Sequence, residues 1–155
     1  MSKAKCHIRP YQLKDHPHIL QLLKKNIPKY FAPSELDDLV DYLEKEREDY
    51  FVLEQEKQLL GAGGINYFSE EKKARISWDF LDPAAQGQGL GTQLLAFRVD
   101  HVRKQKTFEL IEVRTSQLVY PFYEKGGFQV QKIIKDYWAV GYDLYQMEMR
   151  IGEAT

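Results

Sequence analysis

A glycine-rich turn at residues 86–91, with the sequence QGQGLG, is the part of the chain whose residue types and spacing most clearly suit chemistry. It lies between a predicted strand and a predicted helix, so the unpaired N–H groups and the positive dipole end of that helix face the turn. Its glycines let a ligand come close to the backbone, and no acidic side chain lies between Ala84 and Leu95. The turn therefore suits a phosphate or pyrophosphate. The alternative is a tight turn that binds nothing.

Two other phosphate-binding motifs do not fit this turn. A P-loop has Gly-Lys-Ser/Thr after its glycines, whereas Thr92 directly follows Gly91 here. The dinucleotide fingerprint G-x-G-x-x-G also fails, because Gly87, Gly89 and Gly91 are spaced by twos. A nucleotide-phosphate-binding protein remains a distant alternative, which would bind ATP or NAD tightly.

The elements before the turn are predicted to be two helices and a three-stranded meander. Apolar residues at helical spacing predict the helices, and Pro28 ends the first of them. Proline cannot donate to a strand ladder, so Asp82-Pro83 marks the end of the meander. We predict a short strand at 6–9, a helix at 19–27, a second helix capped by Ser34, and strands at 50–53, 59–68 and 74–81.

The elements after the turn predict a βαβ unit. Apolar residues share one face of a helix that begins near Leu90, and a strand at 108–114 follows it. The strands on either side of such a helix should be parallel, with a right-handed crossover. A short helix at 117–125 and closing strands at 129–134 and 145–151, joined by a loop at 135–143, complete the chain. The fold class is therefore α/β, with a mixed, mostly antiparallel sheet of six to seven strands, one central parallel pair and flanking helices.

Composition narrows the classes of protein. A length of 155 residues fits a single domain, 1–155. Lys plus Arg is 22 and Asp plus Glu is 23, which gives no electrostatic signature for nucleic acid or an anionic membrane. The single cysteine cannot form an internal disulfide, and the four His lack metal-site spacing, so we expect no metal. Residues 1–7 lack the apolar core of a signal peptide, and no apolar run approaches the ~20 residues of a membrane span. Cytoplasmic location is the default expectation.

Two motifs together resemble the GNAT acetyltransferase superfamily. The pattern Gln86-x-x-Gly89-x-Gly91, after a strand that ends in Asp82-Pro83, looks like its acetyl-CoA motif. Residues 120–128, YPFYEKGGF, resemble its helix–turn signature, in which a Tyr precedes Glu-Lys-x-Gly-Phe. The two motifs occur in family order and spacing, and the predicted elements fit over the whole chain. The resemblance implies transfer of an acetyl group from acetyl-CoA to a small-molecule or peptide amine, by direct attack in a ternary complex. Homodimers are common in the family, so the resemblance also makes a homodimer possible here.

The resemblance also implies residue roles. Main-chain groups of one strand would pair with the pantetheine arm, and the glycine turn would hold the pyrophosphate. Pro121, in a first helical turn, would be tolerated before Tyr123. The implied cofactor-binding residues are Asp79, Phe80, Leu81, Gln86, Gly87, Gln88, Gly89, Leu90, Gly91, Thr92 and Gln117.

Two residues are candidates for the proton transfers that amine acetylation requires. By the resemblance, Tyr123 would be the general acid, and a phenol with an ordinary pKa near ~10 is a sensible proton donor to a departing thiolate. Its alternative role is packing behind Gly126-Gly127. Glu112 matches a position where some members carry a general base, and its alternative role is an ion pair with Arg114 on the same strand face.

Other residues could line the acceptor site or meet the cofactor. Residues of the helical region and of the late loop line the acceptor site in the family; here these are Tyr30, Phe31, Trp138 and Tyr142. Basic residues that could meet the 3′-phosphate of CoA, or simply form a solvated face, are Arg98, Arg103, Lys104 and Lys125. An alternative from another class of protein is a non-catalytic acyl-CoA-binding or sensing module with the same fold.

Overall fold

Seven strands and four α-helices make up residues 6–152, the part of the chain that the computed structural model describes. The helices are α1 (His16–Lys24), α2 (Glu35–Asp41), α3 (Leu90–Lys104) and α4 (Tyr120–Lys125). The strands are β1 (Cys6–Pro10), β2 (Asp49–Gln55), β3 (Gln58–Phe68), β4 (Lys73–Leu81), β5 (Leu110–Thr115), β6 (Gln129–Ala139) and β7 (Tyr142–Arg150). A π-helical turn, Tyr42–Glu46, continues α2.

One mixed sheet contains all seven strands, in the order β1-β2-β3-β4-β5-β7-β6. The pair β4–β5 is parallel and the other five pairs are antiparallel. The parallel pair results from the crossover through α3, as the βαβ pattern predicts. The predicted α/β fold, with a mostly antiparallel sheet and one central parallel pair, is confirmed.

The two faces of the sheet are covered unequally. On one face, buried residues of α1 and α2, such as Leu23 and Leu39, pack with Val52 of β2. On the other face, buried residues of α3 pack with Ile76 of β4 and Ile111 of β5. The residues that pack with α1 and α2 come from β2, β3 and β4. The same face of β5 and β7 is therefore not covered by these helices.

Two local predictions are wrong. Ser34 does not cap α2, because its side chain makes no capping hydrogen bond; the carboxylate of Glu35 instead accepts the N–H of Ala32, at 2.7 Å. The predicted loop at 135–143 is mostly strand, since β6 continues to Ala139 and β7 begins at Tyr142. The hairpin absorbs the extra residues as a bulge in β6 between Ile134 and Ala139.

Other boundaries shift by a few residues. Helix α1 lies three residues earlier than 19–27, and α4 begins at Tyr120 with Pro121 in its first turn, as expected. No helix in residues 6–152 combines the length and apolar character needed to cross a membrane. Met1–Lys5, part of the segment considered for a signal peptide, lie outside the described residues.

The parallel pair separates halfway along β4. Its last register pair is Ile76 with Val113, so β5 provides no partner for the rest of β4. At the same point β4 contains a bulge, where Trp78 and Asp79 both lie opposite Gly63 of β3. Trp78 has a φ of +48°, and its carbonyl accepts a hydrogen bond from the Tyr50 hydroxyl at 2.8 Å. The bulge and the separation together open the sheet in its middle.

Candidate functional site

A cavity of about 1010 Å³ occupies the opening between β4 and β5. One side of the cavity is the part of β4 that no longer pairs with β5, residues 77–81. The facing side is the end of β5 with the start of α4. The loop between α1 and α2, the glycine turn and the β6–β7 hairpin complete its walls. Asp79, Phe80 and Leu81, predicted from the resemblance to meet the pantetheine arm, all line it.

The glycine turn lies at one end of the cavity and leads directly into α3. Gly87 and Gly89 have positive φ values of +84° and +78°, which favour glycine over other residues. A side-chain carbon added at either position would meet no atom within 4 Å, so the backbone there faces open space. The predicted residues of this segment that line the cavity are Gln86, Gly87, Gly89, Leu90, Gly91 and Thr92. Gln88 is exposed and does not line it.

The end of β4 is fixed by the residues that follow α1. Asn26 is buried, and its side-chain amide donates to the carbonyls of Leu22, at 3.0 Å, and Leu81, at 2.9 Å. Lys25 donates to Asp82 at 2.9 Å, and this hydrogen bond lowers the pKa of the Asp82 carboxyl. These contacts hold the strand end, and with it the glycine turn, against the first helical segment.

Tyr123 of α4 lies on the cavity wall with only 3% of its surface exposed. Its ring packs edge-on against Phe122 and Phe128, at centroid distances of 5.1 and 5.8 Å. Burial raises the pKa of its hydroxyl well above 10, and the charge of Asp79 and a hydrogen bond with that carboxylate raise it further. The hydroxyl is therefore protonated at neutral pH, as a proton donor must be.

Beside Tyr123, a buried ion pair joins α3 to β4. The guanidinium of Arg98 donates to the Asp79 carboxylate at 2.7 Å and to the carbonyls of Leu94 and Gly64 at 3.3 Å. Arg98 is fully buried, so the alternative that it lies on a solvated face is wrong, and the Asp79 carboxylate already occupies the guanidinium that was considered for the 3′-phosphate. A side-chain carbon on Gly63 would lie 2.8 Å from this guanidinium, which explains a glycine in mid-strand.

Glu112 makes a different ion pair from the one expected. Its oxygens accept from Arg75 at 2.7 Å, from Lys73 at 3.1 Å and from Gln146 at 3.2 Å, and no ion pair with Arg114 forms. Burial alone would raise the pKa of this carboxyl, but the hydrogen bond and charge of Arg75 outweigh burial and leave the pKa lowered. Glu112 is 2% exposed and does not line the cavity. A carboxylate so fully paired is a poor proton acceptor.

The side-chain amide of Gln117 hydrogen-bonds to the β6–β7 hairpin. Its nitrogen donates to the Gly141 carbonyl at 2.7 Å, and its oxygen accepts the Asp143 N–H at 2.9 Å. Gln117 does not line the cavity, so the structure gives no support for the predicted cofactor contact. Its observed role is to hold the hairpin tip beside the start of α4.

Glu35, at the start of α2, is a cavity residue that the sequence did not indicate. It is 6% exposed, and only one of its oxygens is used within the described structure, by the Ala32 N–H. Since no buried side-chain oxygen in residues 6–152 lacks a partner, the second oxygen reaches solvent, and Glu35 lines the cavity. Burial raises the pKa of this carboxyl to about 7. Such a carboxylate can accept a proton at neutral pH.

The aromatic residues considered for the acceptor site all line the cavity: Tyr30, Phe31, Trp138 and Tyr142. Tyr30 lies beside the glycine turn, because its hydroxyl donates to the Gln86 side-chain oxygen at 3.4 Å. The β6–β7 hairpin is fixed to neighbouring segments, because the Trp138 ring N–H donates to the Thr115 carbonyl at 3.1 Å and the Tyr142 hydroxyl donates to the Pro28 carbonyl at 2.6 Å. The walls of the cavity therefore come from segments far apart in the sequence.

Comparison with known proteins identifies the family. Residues 21–151 match the family described as Acetyltransferase (GNAT) domain. No curated protein matches the chain in sequence. The fold is similar to that of the ribosomal-protein-S18-alanine N-acetyltransferase from Escherichia coli, with a TM-score of 0.81, 20% identity and 97% of each chain covered.

Two other solved structures share the fold at low identity. Ard1 from Thermoplasma volcanium has a TM-score of 0.80 at 18% identity, with 96% of this chain and 99% of that chain covered. N-acetylglutamate synthase from Neisseria gonorrhoeae, solved with coenzyme A and N-acetyl-glutamate, has a TM-score of 0.72 at 19% identity, with 98% of this chain and 36% of that chain covered. The chain belongs to the GNAT family and is an N-acetyltransferase.

Proposed function

We propose that the chain is a single acyltransferase domain, residues 1–155, that transfers an acetyl group from acetyl-CoA to a primary amine by direct attack in a ternary complex. The observation that carries this proposal is one continuous cavity that joins the glycine turn, the unpaired edge of β4 and the Tyr123 hydroxyl. An anion-binding turn, an open strand edge and a proton donor are the three parts that the reaction needs.

The cofactor would occupy the opening between β4 and β5. Its pyrophosphate would bind the backbone N–H groups of the turn, at the positive end of α3. Its pantetheine amides would hydrogen-bond to main-chain groups within residues 77–81 of β4, where β5 no longer pairs with this strand. This placement brings the thioester toward Tyr123, which lines the same cavity.

Two proton transfers accompany the attack. The amine must lose a proton to have a free lone pair. We assign the role of proton acceptor to Glu35, whose second oxygen makes no hydrogen bond within the described residues and whose side chain lines the cavity. The departing thiolate needs a proton, which Tyr123 would supply. Burial and the Asp79 carboxylate would oppose the phenolate left behind, and the guanidinium of Arg98, which lowers the pKa of Tyr123, would offset part of that opposition.

Acetyl-CoA is expected to stabilise the protein. At about 100 times its Kd, a ligand adds roughly 2.7 kcal/mol to the free energy of unfolding, which raises the Tm of a domain of this size by about 5–10 °C. Thermal denaturation with millimolar acetyl-CoA, CoA, ATP or NAD measures this. A Tm shift with ATP or NAD but none with CoA would mean that the site binds nucleotides of another kind.

Gly89→Asp is expected to abolish the Tm shift, because it places a negative charge where the pyrophosphate would bind. Gly89→Asn is the matched control, since Asn has the same shape without the charge and tolerates the positive φ of +78°. Equal loss in both variants would show that shape rather than charge is responsible. Turnover of acetyl-CoA with a panel of amines, followed by CoA release, then distinguishes an enzyme from a non-catalytic binding module.

Glu35→Gln is expected to lower kcat/KM about a hundredfold at pH 7, the lower end of what a general base contributes. The loss should shrink as the pH approaches the pKa of the amine, because the amine then arrives neutral. In the wild type, the same step predicts a rate that rises through a pKa of about 7. The measurement is the pH profile of kcat/KM for both proteins.

Glu112→Gln is the matched comparison. Because Arg75 and Lys73 hold this carboxylate, we expect its loss to reduce stability and to change the rate by a factor that does not vary with pH. A pH-dependent loss in Glu112→Gln and a flat one in Glu35→Gln would reverse the assignment. Glu35 would then serve only to bind the Ala32 N–H at the start of α2.

A further inference from the structure

Charged residues line the part of the β4–β5 face that no helix covers. In the parallel register Arg75 lies beside Glu112, and Arg114 follows Glu112 by two residues on the same face. Arg75 and Arg114 both line the cavity, whereas Glu112 does not. The cavity wall formed by this part of β4 and β5 therefore contains two guanidinium groups.

These two guanidinium groups are not neutralised equally. Glu112 accepts from the Nε atom of Arg75 and from Lys73, and Lys73 also pairs with Glu71, so the charge of Arg75 is matched by a buried carboxylate. Arg114 makes no ion pair with any acid of residues 6–152; its hydrogen bond goes to the hydroxyl of Tyr137. An arginine on a cavity wall without a carboxylate partner has donors available for an anion.

The guanidinium of Arg114 is held in place by the hairpin. It lies over the rings of Tyr137 and Trp138, at 5.1 and 5.4 Å from the ring centroids. Trp138 is itself fixed by its hydrogen bond to the Thr115 carbonyl. Little side-chain freedom is left to lose on binding, so this planar group is arranged in advance for a carboxylate.

Two acidic residues that line the cavity in addition to Glu35 and Asp79 are placed differently. Glu46 and Glu48 are exposed, and one oxygen of Glu48 already accepts from the Asn66 side chain and the Tyr67 N–H. Exposed charges interact weakly because water screens them. The half-buried arginines therefore determine the preference of the site more strongly than these acids do.

We propose that the acceptor amine also carries a carboxylate, as a free amino acid does, and that Arg114, assisted by Arg75, binds this carboxylate while the amine faces the thioester. This inference rests on the proposed function and names its substrate class. Paired N–H donors of an arginine match a carboxylate in a bidentate geometry.

Pairs of compounds that differ only in the carboxylate test the proposal. Ornithine and lysine are compared with putrescine and cadaverine, their decarboxylated counterparts, by CoA release and by equilibrium binding to the protein saturated with CoA. In the wild type we expect the carboxylated member of each pair to bind and react about ten- to a hundredfold better, since hydrogen bonds between charged groups have that value.

Three variants test whether Arg114 causes the preference for carboxylated compounds. Arg114→Gln should remove the preference by weakening only the carboxylated compounds, and Arg114→Lys should restore part of it because the charge returns. Arg150→Gln is the matched control, as Arg150 is exposed at the end of β7, away from the cavity, and its loss should change nothing.

Two results overturn the inference in distinguishable ways. If both members of each pair bind and react equally in the wild type, or if Arg114→Gln weakens both equally, the acceptor needs no carboxylate and the proposed function still stands. If acetyl-CoA binds but no amine of either kind binds or turns over, the proposed function fails and this inference fails with it.

Discussion

Tyr123→Phe is expected to lower kcat by about 10²–10⁴-fold, the usual contribution of a positioned general acid, which corresponds to roughly 3–5.5 kcal/mol of barrier. Phenylalanine keeps the ring contacts with Phe122 and Phe128 and removes only the transferable proton. The loss should be smaller with an acyl donor whose leaving thiol is more acidic, because that thiolate needs a proton less. Steady-state rates with a series of thioesters measure this dependence.

The control for this variant is Tyr120→Phe on the same helix. Tyr120 stacks on Tyr145 at 4.6 Å and does not line the cavity, so its hydroxyl should not affect kcat. Loss of the interaction between the Tyr123 hydroxyl and the charged Asp79 carboxylate should reduce stability by no more than about 3 kcal/mol. Wild-type kcat in Tyr123→Phe, with acyl transfer shown to limit the rate, would mean that the hydroxyl takes no part. A large fall in Tm or in acetyl-CoA affinity would mean that its role is structural.

Arg98→Met is expected to destabilise the protein by about 3–5 kcal/mol, because it leaves the partner of a buried ion pair without compensation. Three acceptors lose their donor at once: the Asp79 carboxylate and the carbonyls of Gly64 and Leu94. The Tm should fall by about 6–20 °C. Urea denaturation at fixed pH measures the loss of free energy directly.

The exposed Arg103 of α3 provides the control, since a surface substitution such as Arg103→Gln should change stability by no more than about 0.5 kcal/mol. Asp79→Asn completes a double-mutant cycle with Arg98→Met. The double variant should be more stable than the sum of the two single losses predicts, because the uncompensated charge is gone. A loss below about 1 kcal/mol in Arg98→Met would show that the pair contributes little to the fold.

The order of elements could be predicted because each carries a local signal. Alternating apolar residues, the turn before α3 and the prolines at 28 and 83 mark the limits of most helices and strands. The β6–β7 hairpin was missed in part, because the polar and aromatic residues 135–139 do not alternate as a strand usually does. A bulge accommodates them in β6, and bulges depend on tertiary contacts that no local pattern reports.

The sequence indicated some of the residues that line the cavity and missed others. The glycine turn and Tyr123 lie in contiguous motifs, whereas Glu35 enters the cavity only through the packing of α2. The burial of Arg98 did have a signal in the sequence. It follows Leu94 by four residues and Leu95 by three, and precedes Val102 by four, so it lies on the apolar stripe of α3. A charged residue at such a position predicts a buried partner.

The partners of Glu112 show a limit of reasoning within one strand. Alternation placed Glu112 and Arg114 on one face, and that placement agrees with the structure. The neighbours that determine the pairing, however, are Lys73 and Arg75 on the adjacent strand, 39 and 37 residues earlier in the sequence. Register between strands, rather than spacing along one of them, decides which charges meet.

The hydrogen bond from the Tyr142 hydroxyl to the Pro28 carbonyl links the β6–β7 hairpin to the segment between α1 and α2. Each of the two joined segments also lines the cavity, through Tyr142 and Tyr30 respectively. We expect this bridge to limit how closely a bulky acceptor can approach, so that a free amino acid or an extended peptide end should react more readily than a lysine flush with the surface of a folded protein. Such a steric limit would act independently of the charge of the acceptor.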